Sequence, residues 1–504
     1  MPQRAKVVIE IFVVLFVSYC IYLSALFVIN GEVHLTNDIG RDFLLLQELD
    51  QKKIVLIGPR TNIQGVFHGV LWTYLNYPAY LIGRGDPVVV AWFWVMIEAV
   101  YLITSYIIFS KLFGRIIALI GIVLLAIISL QMTNSLFGQL MSFYLMPAFV
   151  FTLYRYFQTK NVRYVVFHLL ILGCIIQFNV GVGGLVAVLT IILIGGFIYR
   201  HSLWKHIFSL VVLPFSLVNF VIFETKHNFS MTKALVEMGG SSKFIIPVHA
   251  WVFNRIENTI SLQLLPNLHQ GLKIGIFAAV IFLSILELRK KEKNSLLLII
   301  VFFYFGYILL TYFNKGIILV DHIVLLSPIA LMWLLTLTKG TYKFLSAFIL
   351  FVIVGVNFFT TRNQVMYAIH NQLGKSQDSW LALKEVAMTV VDEQDGKNFG
   401  YYVYSPDSFA YQQRYAMLYY FRKTNASASE YVKKPETYII ISAPPPDNRY
   451  MTHEWWVKNK ANITSTPKEK RIFQSGYKIE KYFLDKNEQK IPHNPDIELG
   501  IHFR

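Results

Sequence analysis

Thr36-Asn37-Asp38-Ile39-Gly40-Arg41-Asp42, continuing as Phe43-Leu44-Leu45-Leu46-Gln47-Glu48-Leu49-Asp50, stands between two long apolar runs, near 7–29 and 87–109. From Asp38 onward, Ile39, Phe43 and Leu46, with Leu45 and Leu49, fall at helical spacing. That pattern predicts an amphipathic helix lying on a membrane surface. Asp38 and Asp42 share one face of its first turn, with Arg41 beside them. Two carboxylates are thereby set where an aqueous molecule and a lipid headgroup meet. A carboxylate in that place suits a general base, taking a proton from a hydroxyl while its oxygen attacks a bound electrophile. The structural alternative is that Asp38 caps the helix and Asp42 pairs with Arg41.

Outward from this loop the chain is dominated by apolar segments. A spanning helix needs about 20 apolar residues, because the hydrocarbon layer is roughly 30 Å thick. About eleven such runs are present, near 7–29, 87–109, 115–131, 138–157, 162–178, 181–198, 206–223, 273–289, 295–313, 317–337 and 342–360. The first is too long and too rich in Leu and Val for a cleaved leader, and is expected to be a signal anchor. Composition agrees: 55% of the 504 residues are hydrophobic and only 15% charged, against about 25% charged in soluble domains. A soluble enzyme, a secreted disulfide scaffold and a disordered tail are excluded. The net charge of +16 does not point to nucleic acid, since no Arg-rich helix or basic–aromatic interleaving appears. Cys20 and Cys174 both sit inside apolar segments and read as inert thiols.

Lys and Arg in short turns set the orientation. With the N-terminus (Arg4, Lys6) in the cytoplasm, the cytoplasmic turns carry Lys111 and Arg115; Arg155, Lys160 and Arg163; Arg200 and Lys205; Arg289, Lys290, Lys291 and Lys293; and Lys339 and Lys343. The opposite short turns hold only Lys315. Three long segments are then outside: 30–86, 224–272 and the tail 361–504. The tail is polar and Lys-rich. Strand-like runs occur at Tyr401–Tyr404, Thr437–Ser442 and Lys478–Phe483, helix-like stretches at 377–392 and 408–422, and a loop at Pro444–Pro446. Strands alternating with helices predict a small extracytoplasmic α/β domain over 361–504, after a transmembrane domain over 1–360.

The first outer loop continues Ile57-Gly58-Pro59-Arg60-Thr61-Asn62, then Gly65-Val66-Phe67-His68-Gly69-Val70-Leu71-Trp72-Thr73-Tyr74-Leu75. A short first span, an outer-face Asp at a helix start, a Gly-Pro turn and a His-Gly-x-Leu-x-x-Tyr-Leu helix before span two resemble the GT-C superfamily of membrane glycosyltransferases. The closest branch looks like the bacterial relatives of dolichyl-phosphate-mannose–protein mannosyltransferases and aminoarabinose transferases. The match covers the first 110 or so residues. Beyond them it rests on topology, on Pro214…Phe223-Glu224…His227-Asn228-Phe229, and on the aromatic segment leading to Pro328. Three departures stand out. Asp38-Ile39-Gly40-Arg41 replaces the family's Asp-Glu-x-Arg, Gly69-Val70 stands in place of its Pro-Pro or Gly-Pro, and Gln139 and Ser142 occupy the region of its Asn-Pro pair.

The resemblance implies a mainly α, polytopic GT-C-like protein of the plasma (inner) membrane, with about 11 transmembrane helices and the α/β domain outside. It implies inverting transfer of a sugar from a polyprenyl-phosphate donor to a lipid, glycan or protein acceptor, with membrane lipid as the surroundings. Asp38, with Asp42 beside it, is then the candidate catalytic base. Arg60, His68, Arg255 and Lys243 are candidate cations for the phosphate, Arg41 adjoins the acids, and Tyr74 is placed either to stack on a sugar or to pack. Asp321-His322, at the outer end of span ten, is set to bind an acceptor or a metal, or to mark the water interface. Glu98, deep in the second span, reads as a helix–helix hydrogen bond or as part of a proton pathway. No metal ligand set is visible, so no cofactor is required, while a divalent cation stays compatible. Two other classes share these features: a lipid-linked glycan polymerase, favoured by Lys226, Lys233, Lys243 and Arg255 in the loop 224–272, and a non-enzymatic flippase, which would usually show an internal repeat that this sequence lacks.

Overall fold

The computed structural model describes residues 3–130, 135–241, 246–265, 268–290, 294–393, 398–407, 409–426, 428–444 and 452–497. Lys243, Lys291, Lys293, Pro445 and Pro446 lie outside the described residues.

The chain begins with α1 (Gln3–Ile29), the loop helices α2 (Asn37–Lys52) and α3 (Leu71–Ile82), and α4 (Pro87–Phe113). Next come α5 (Arg115–Ser129), α6 (Met141–Thr159), α7 (Val162–Phe178) and α8 (Val180–His201). A 3-10 segment, Trp204–Val211, leads into α9 (Val212–Ser216) and α10 (Val218–Lys226). The second long loop contains α11 (Ser230–Ser241) and α12 (Val248–Ile260). α13 (Gln270–Leu288), α14 (Ser295–Thr311), α15 (Val320–Ile323), α16 (Leu326–Leu337) and α17 (Lys343–Asn371) complete the bundle.

Polar residues start these helices where an apolar run meets water. Asp86 accepts the Val88 N–H at 3.0 Å, with Pro87 at the first helical position where its missing N–H costs nothing. Asn161, Asn179 and Asn294 cap α7, α8 and α14 in the same way. Each predicted apolar run is largely helical. Among the described residues, six helices are long and apolar enough to cross a membrane: α1, α4, α8, α13, α17 and Val320–Leu337, with α5, α7 and α14 shorter. The expected count of eleven is therefore not reached by length and composition. The run 206–223 is no straight span, because it bends by 63° at Leu217. Pro214 lies just before the bend, and a proline inside a helix removes a backbone donor and crowds the preceding turn.

Phe344, Phe348 and Phe351 of α17, and Val8, Phe12 and Leu15 of α1, are exposed at i, i+4, i+7. Such apolar stripes suit lipid contact. Inside, Glu98 accepts from Ser24 of α1 at 3.2 Å and from Ser129 of α5. One carboxyl thus ties three helices together, the hydrogen-bonding role expected for it. α17 continues through position 360 to Asn371.

The C-terminal region contains α18 (Trp380–Asp392), β1 (Phe399–Tyr404), α19 (Tyr411–Thr424), β2 (Ala428–Glu430), β3 (Glu436–Ile441), α20 (Glu454–Asn459), β4 (Glu469–Ile472), β5 (Lys478–Phe483) and α21 (Lys486–Lys490). The sheet order is β2-β1-β3-β5-β4, with β1 parallel to β2 and β3, and β5 antiparallel to β3 and β4. Side chains alternate across β1. Phe399, Tyr401 and Val403 join the core beneath α18 and α19, while Tyr402 and Tyr404 pack with Val457 of α20. The three long expected strands and both expected helices are present. β2 and β4 were not expected, being short and polar.

This sheet domain is joined to the first long loop by an extended contact. Leu35 N donates to Asp378 O at 2.7 Å, and Trp380 N to Val33 O at 3.0 Å. The buried Glu32 carboxylate accepts the N–H groups of Trp380 (2.8 Å) and Gly374 (3.1 Å) and the Ser379 hydroxyl. A carboxylate at the N-terminus of α18 is well placed against its dipole.

Candidate functional site

α2 does not lie free on a surface as its pattern predicted. Most of its residues from Ile39 to Leu46 are buried, and α19 packs across it. Gly40 makes this approach feasible, since a Cβ there would stand 2.5 Å from the Gln412 backbone nitrogen. An amphipathic face can be covered by protein as well as by lipid, and here protein covers it.

Thr36, rather than Asp38, is the N-cap: its hydroxyl accepts the Ile39 N–H at 3.4 Å. Asp38 in the first turn is left with its side chain 57% exposed. It faces Arg41 one turn on, with Nη1 2.8 Å from Oδ1. Arg41 is itself only 8% exposed and donates through Nη2 and Nε to Asp42 Oδ1, at 3.1 and 3.2 Å. Asp42 is buried. The two carboxylates sharing a helix face are therefore unequal: one open to water, one inside, with a single guanidinium between them.

The charges follow that asymmetry. Burial pushes the Asp42 carboxyl up to about 6, against the pull of Arg41 and with a push from Asp38. For Arg41, burial works against the charge, but Asp42 and Asp38 outweigh it and hold the guanidinium above its ordinary value.

A hairpin-like turn brings the next residues in. Gly58 N donates to His68 O and His68 N to Pro59 O, both at 2.9 Å. The arms touch so closely that a Cβ on Gly58 would lie 2.2 Å from Gly69 O. The Arg60 guanidinium sits 4.4 Å from the centroid of the Phe409 ring, a cation–π contact with the C-terminal domain. Both ring nitrogens of His68 face donors, Nδ1 the Val180 N–H at 3.4 Å and Nε2 the Gln139 amide nitrogen at 3.4 Å. Crowding by protein, then the charges of Arg41 and His322, press its pKa down to about 3. His68 is thus held neutral rather than being the cation its position in the loop suggested.

Asp321 and His322 come from α15, 3.6 Å apart. Asp38 acts electrostatically on Asp321, as His322 does on His68. The structure accordingly gathers Asp38, Arg41, Asp42, His68, Asp321 and His322 into one electrostatic cluster, with Arg60 at the boundary with the C-terminal domain. Tyr74 is engaged elsewhere: its hydroxyl donates to Val55 O and accepts the Val55 N–H, both at 3.1 Å. Arg255 is fully buried and donates to the carbonyls of Asn314 (2.6 Å) and Thr311 (3.3 Å), which makes it a strut between α12 and the end of α14. Among the described residues, no group of three or more His, Cys, Asp or Glu is arranged to hold a metal ion.

The sequence reading missed Asn37, Asp407, Phe409 and Tyr411. Asn37 adjoins Asp38 and carried a positional signal. The other three lie some 370 positions away in the chain, and nothing local marks them.

No protein-family model and no curated protein matches the sequence. Solved structures do match the fold. ArnT from Cupriavidus metallidurans in the apo state aligns with a TM-score of 0.58 at 10% identity, over 93% of this chain and 97% of that one. The same protein bound to undecaprenyl phosphate gives 0.55 at 11% identity, over 93% and 98%. The chain shares the fold of ArnT. Nearly the full length of both molecules enters that alignment, so the shared fold spans the bundle and the C-terminal sheet together. An oligosaccharyltransferase from Archaeoglobus fulgidus, in complex with zinc and sulfate, aligns at 0.46 with 12% identity, over 80% and 61%.

Proposed function

We propose that this protein is an integral-membrane glycosyltransferase that moves a sugar from a polyprenyl-phosphate donor to an acceptor hydroxyl on the extracytoplasmic face. The observation that carries this reading is the open Asp38 carboxylate held on a buried Arg41–Asp42 pair within a GT-C fold. ArnT, which shares the fold, has been crystallised with undecaprenyl phosphate, and that lends support to a polyprenyl-phosphate donor here.

Asp38 takes the acceptor proton as the acceptor oxygen attacks the anomeric carbon. The bond from that carbon to the phosphate oxygen breaks, and polyprenyl phosphate leaves. In-line attack inverts the anomeric configuration. The leaving phosphate monoester has a second pKa of about 6, so it departs as an anion that needs charge stabilisation more than a proton. Arg41 and Arg60 supply positive charge in a partly dehydrated setting, where it acts more strongly than in water. Neutral His68 lines the site beside them, and the Asp321-His322 pair completes the cluster. The polymerase alternative loses one of its residues, because Arg255 is spent on backbone carbonyls.

The test is transfer from radiolabelled polyprenyl-phosphate sugars in proteoliposomes, comparing wild type with Asp38→Asn. Turnover should fall roughly 10²–10⁴-fold with donor binding retained. Full activity in the variant would remove Asp38 from the chemistry. Wild type that releases no sugar but moves lipid-linked glycan between leaflets would establish a flippase instead.

A further inference from the structure

α19 begins without a cap of its own. Ala410, which precedes it, has φ +51° and a methyl side chain that accepts nothing, yet the first N–H groups of any helix need partners. Asn37 of α2 supplies one from outside: its Oδ1 accepts the Tyr411 N–H at 2.6 Å. The same amide donates through Nδ2 to Asp407 Oδ2. Asp407 organises the corner, its Oδ1 accepting the Phe409 N–H at 3.0 Å and the Ser405 hydroxyl at 2.8 Å.

Three other contacts converge on this point. The Phe409 and Tyr411 rings lie parallel, 7° apart in plane with centroids 5.4 Å apart, and Arg60 sits over Phe409. Arg60 and Arg41 both act electrostatically on Tyr411. Gly40 seats α2 against the backbone at Tyr411 and Gln412. The C-terminal domain thus grips the first turn of α2, which carries Asp38.

We infer that Asn37 is a positioning residue, the latch through which the C-terminal domain becomes one wall of the site and holds the turn bearing Asp38 in its working place. This rests on the transferase reading above. The latch acts through both halves of one side chain, as an acceptor for Tyr411 N–H and a donor to Asp407. Exchanging the two partners, Asn37→Asp with Asp407→Asn, preserves both contacts, whereas Asn37→Asp alone sets two carboxylates against each other.

The experiment measures the full-length protein in nanodiscs by two readouts: amide hydrogen exchange over 409–415, and transfer from a polyprenyl-phosphate sugar with kcat and donor KM separated. Asn37→Ala and Asn37→Asp should lose amide protection at Tyr411. Both should lower kcat roughly 10- to 100-fold at unchanged donor KM, the scale of a small misplacement of a reacting group. The exchanged pair should recover both. Wild-type kcat in Asn37→Ala would overturn the inference, as would an exchanged pair that regains protection without turnover. Should Asn37→Ala fail to fold, the comparison of Asn37→Asp with the exchanged pair decides. Should wild type transfer nothing, the transferase reading fails, and hydrogen exchange still shows whether the latch exists.

Discussion

Arg41 reaches the exposed Asp38 carboxylate at 2.8 Å while its own side chain is almost wholly buried. Its charge is compensated from behind by Asp42, so a cation that would otherwise be costly to bury faces the one open acid of the site.

Arg41→Lys tests that geometry. A guanidinium meets two carboxylates at once through separate nitrogens, whereas an ammonium is a compact point charge on a flexible stem. Turnover should drop about 10- to 100-fold and donor KM should rise. A variant with wild-type constants would mean that the charge alone matters. Steady-state kinetics over a donor series reads the difference.

Asp42 sets an acid limb. With its carboxyl pushed up to about 6, the group is ionised above that pH and takes up a proton as pH falls through it. Protonation strips Arg41 of its inner partner, so kcat/KM for wild type should decline below about pH 6. Asp42→Asn should be slower at neutral pH and lack that inflection. A limb that survives the substitution belongs to another group.

Gly40→Ala should loosen the join between the transmembrane bundle and the sheet domain. The added methyl meets backbone, not a side chain that can swing aside. A loss of about 1–3 kcal/mol is expected for such overpacking. Thermal unfolding in detergent, paired with protease cleavage within 372–379, would register the change. Unaltered cleavage and melting would show that α2 and α19 can separate without cost.

Glu98 separates two roles that its sequence position left open. Glu98→Gln keeps an oxygen to accept from Ser24 and Ser129, so melting and transfer should stay near wild type. Glu98→Ala removes the acceptor of Ser24, leaves Ser129 only its bond to Ala126 O and opens a void, and should cost about 2–5 kcal/mol. If Gln abolished transfer while melting normally, the carboxyl would be moving protons.

The apolar runs, the starts of the capped helices, the three long strands of the tail and the first-loop acids were all legible in the sequence. Each is a local property. A 20-residue apolar run needs no partner to prefer lipid, and Asp86-Pro87 starts a helix by its own geometry. Span count and the bend at Leu217 were not legible, because length within the bundle depends on how neighbours pack around Pro214. Nor could the sequence rank Asp38 against Asp42. Both sit on one face of one turn, and only the burial of that turn makes one an open carboxylate and the other a buried counter-charge. Burial there is set by α19, brought from the far end of the chain onto Gly40 and Asn37. The sequence by itself determined a multi-pass membrane protein with an acid-bearing first long loop. The tertiary structure alone decided which acid faces water, since exposure is a property of contacts between segments hundreds of residues apart.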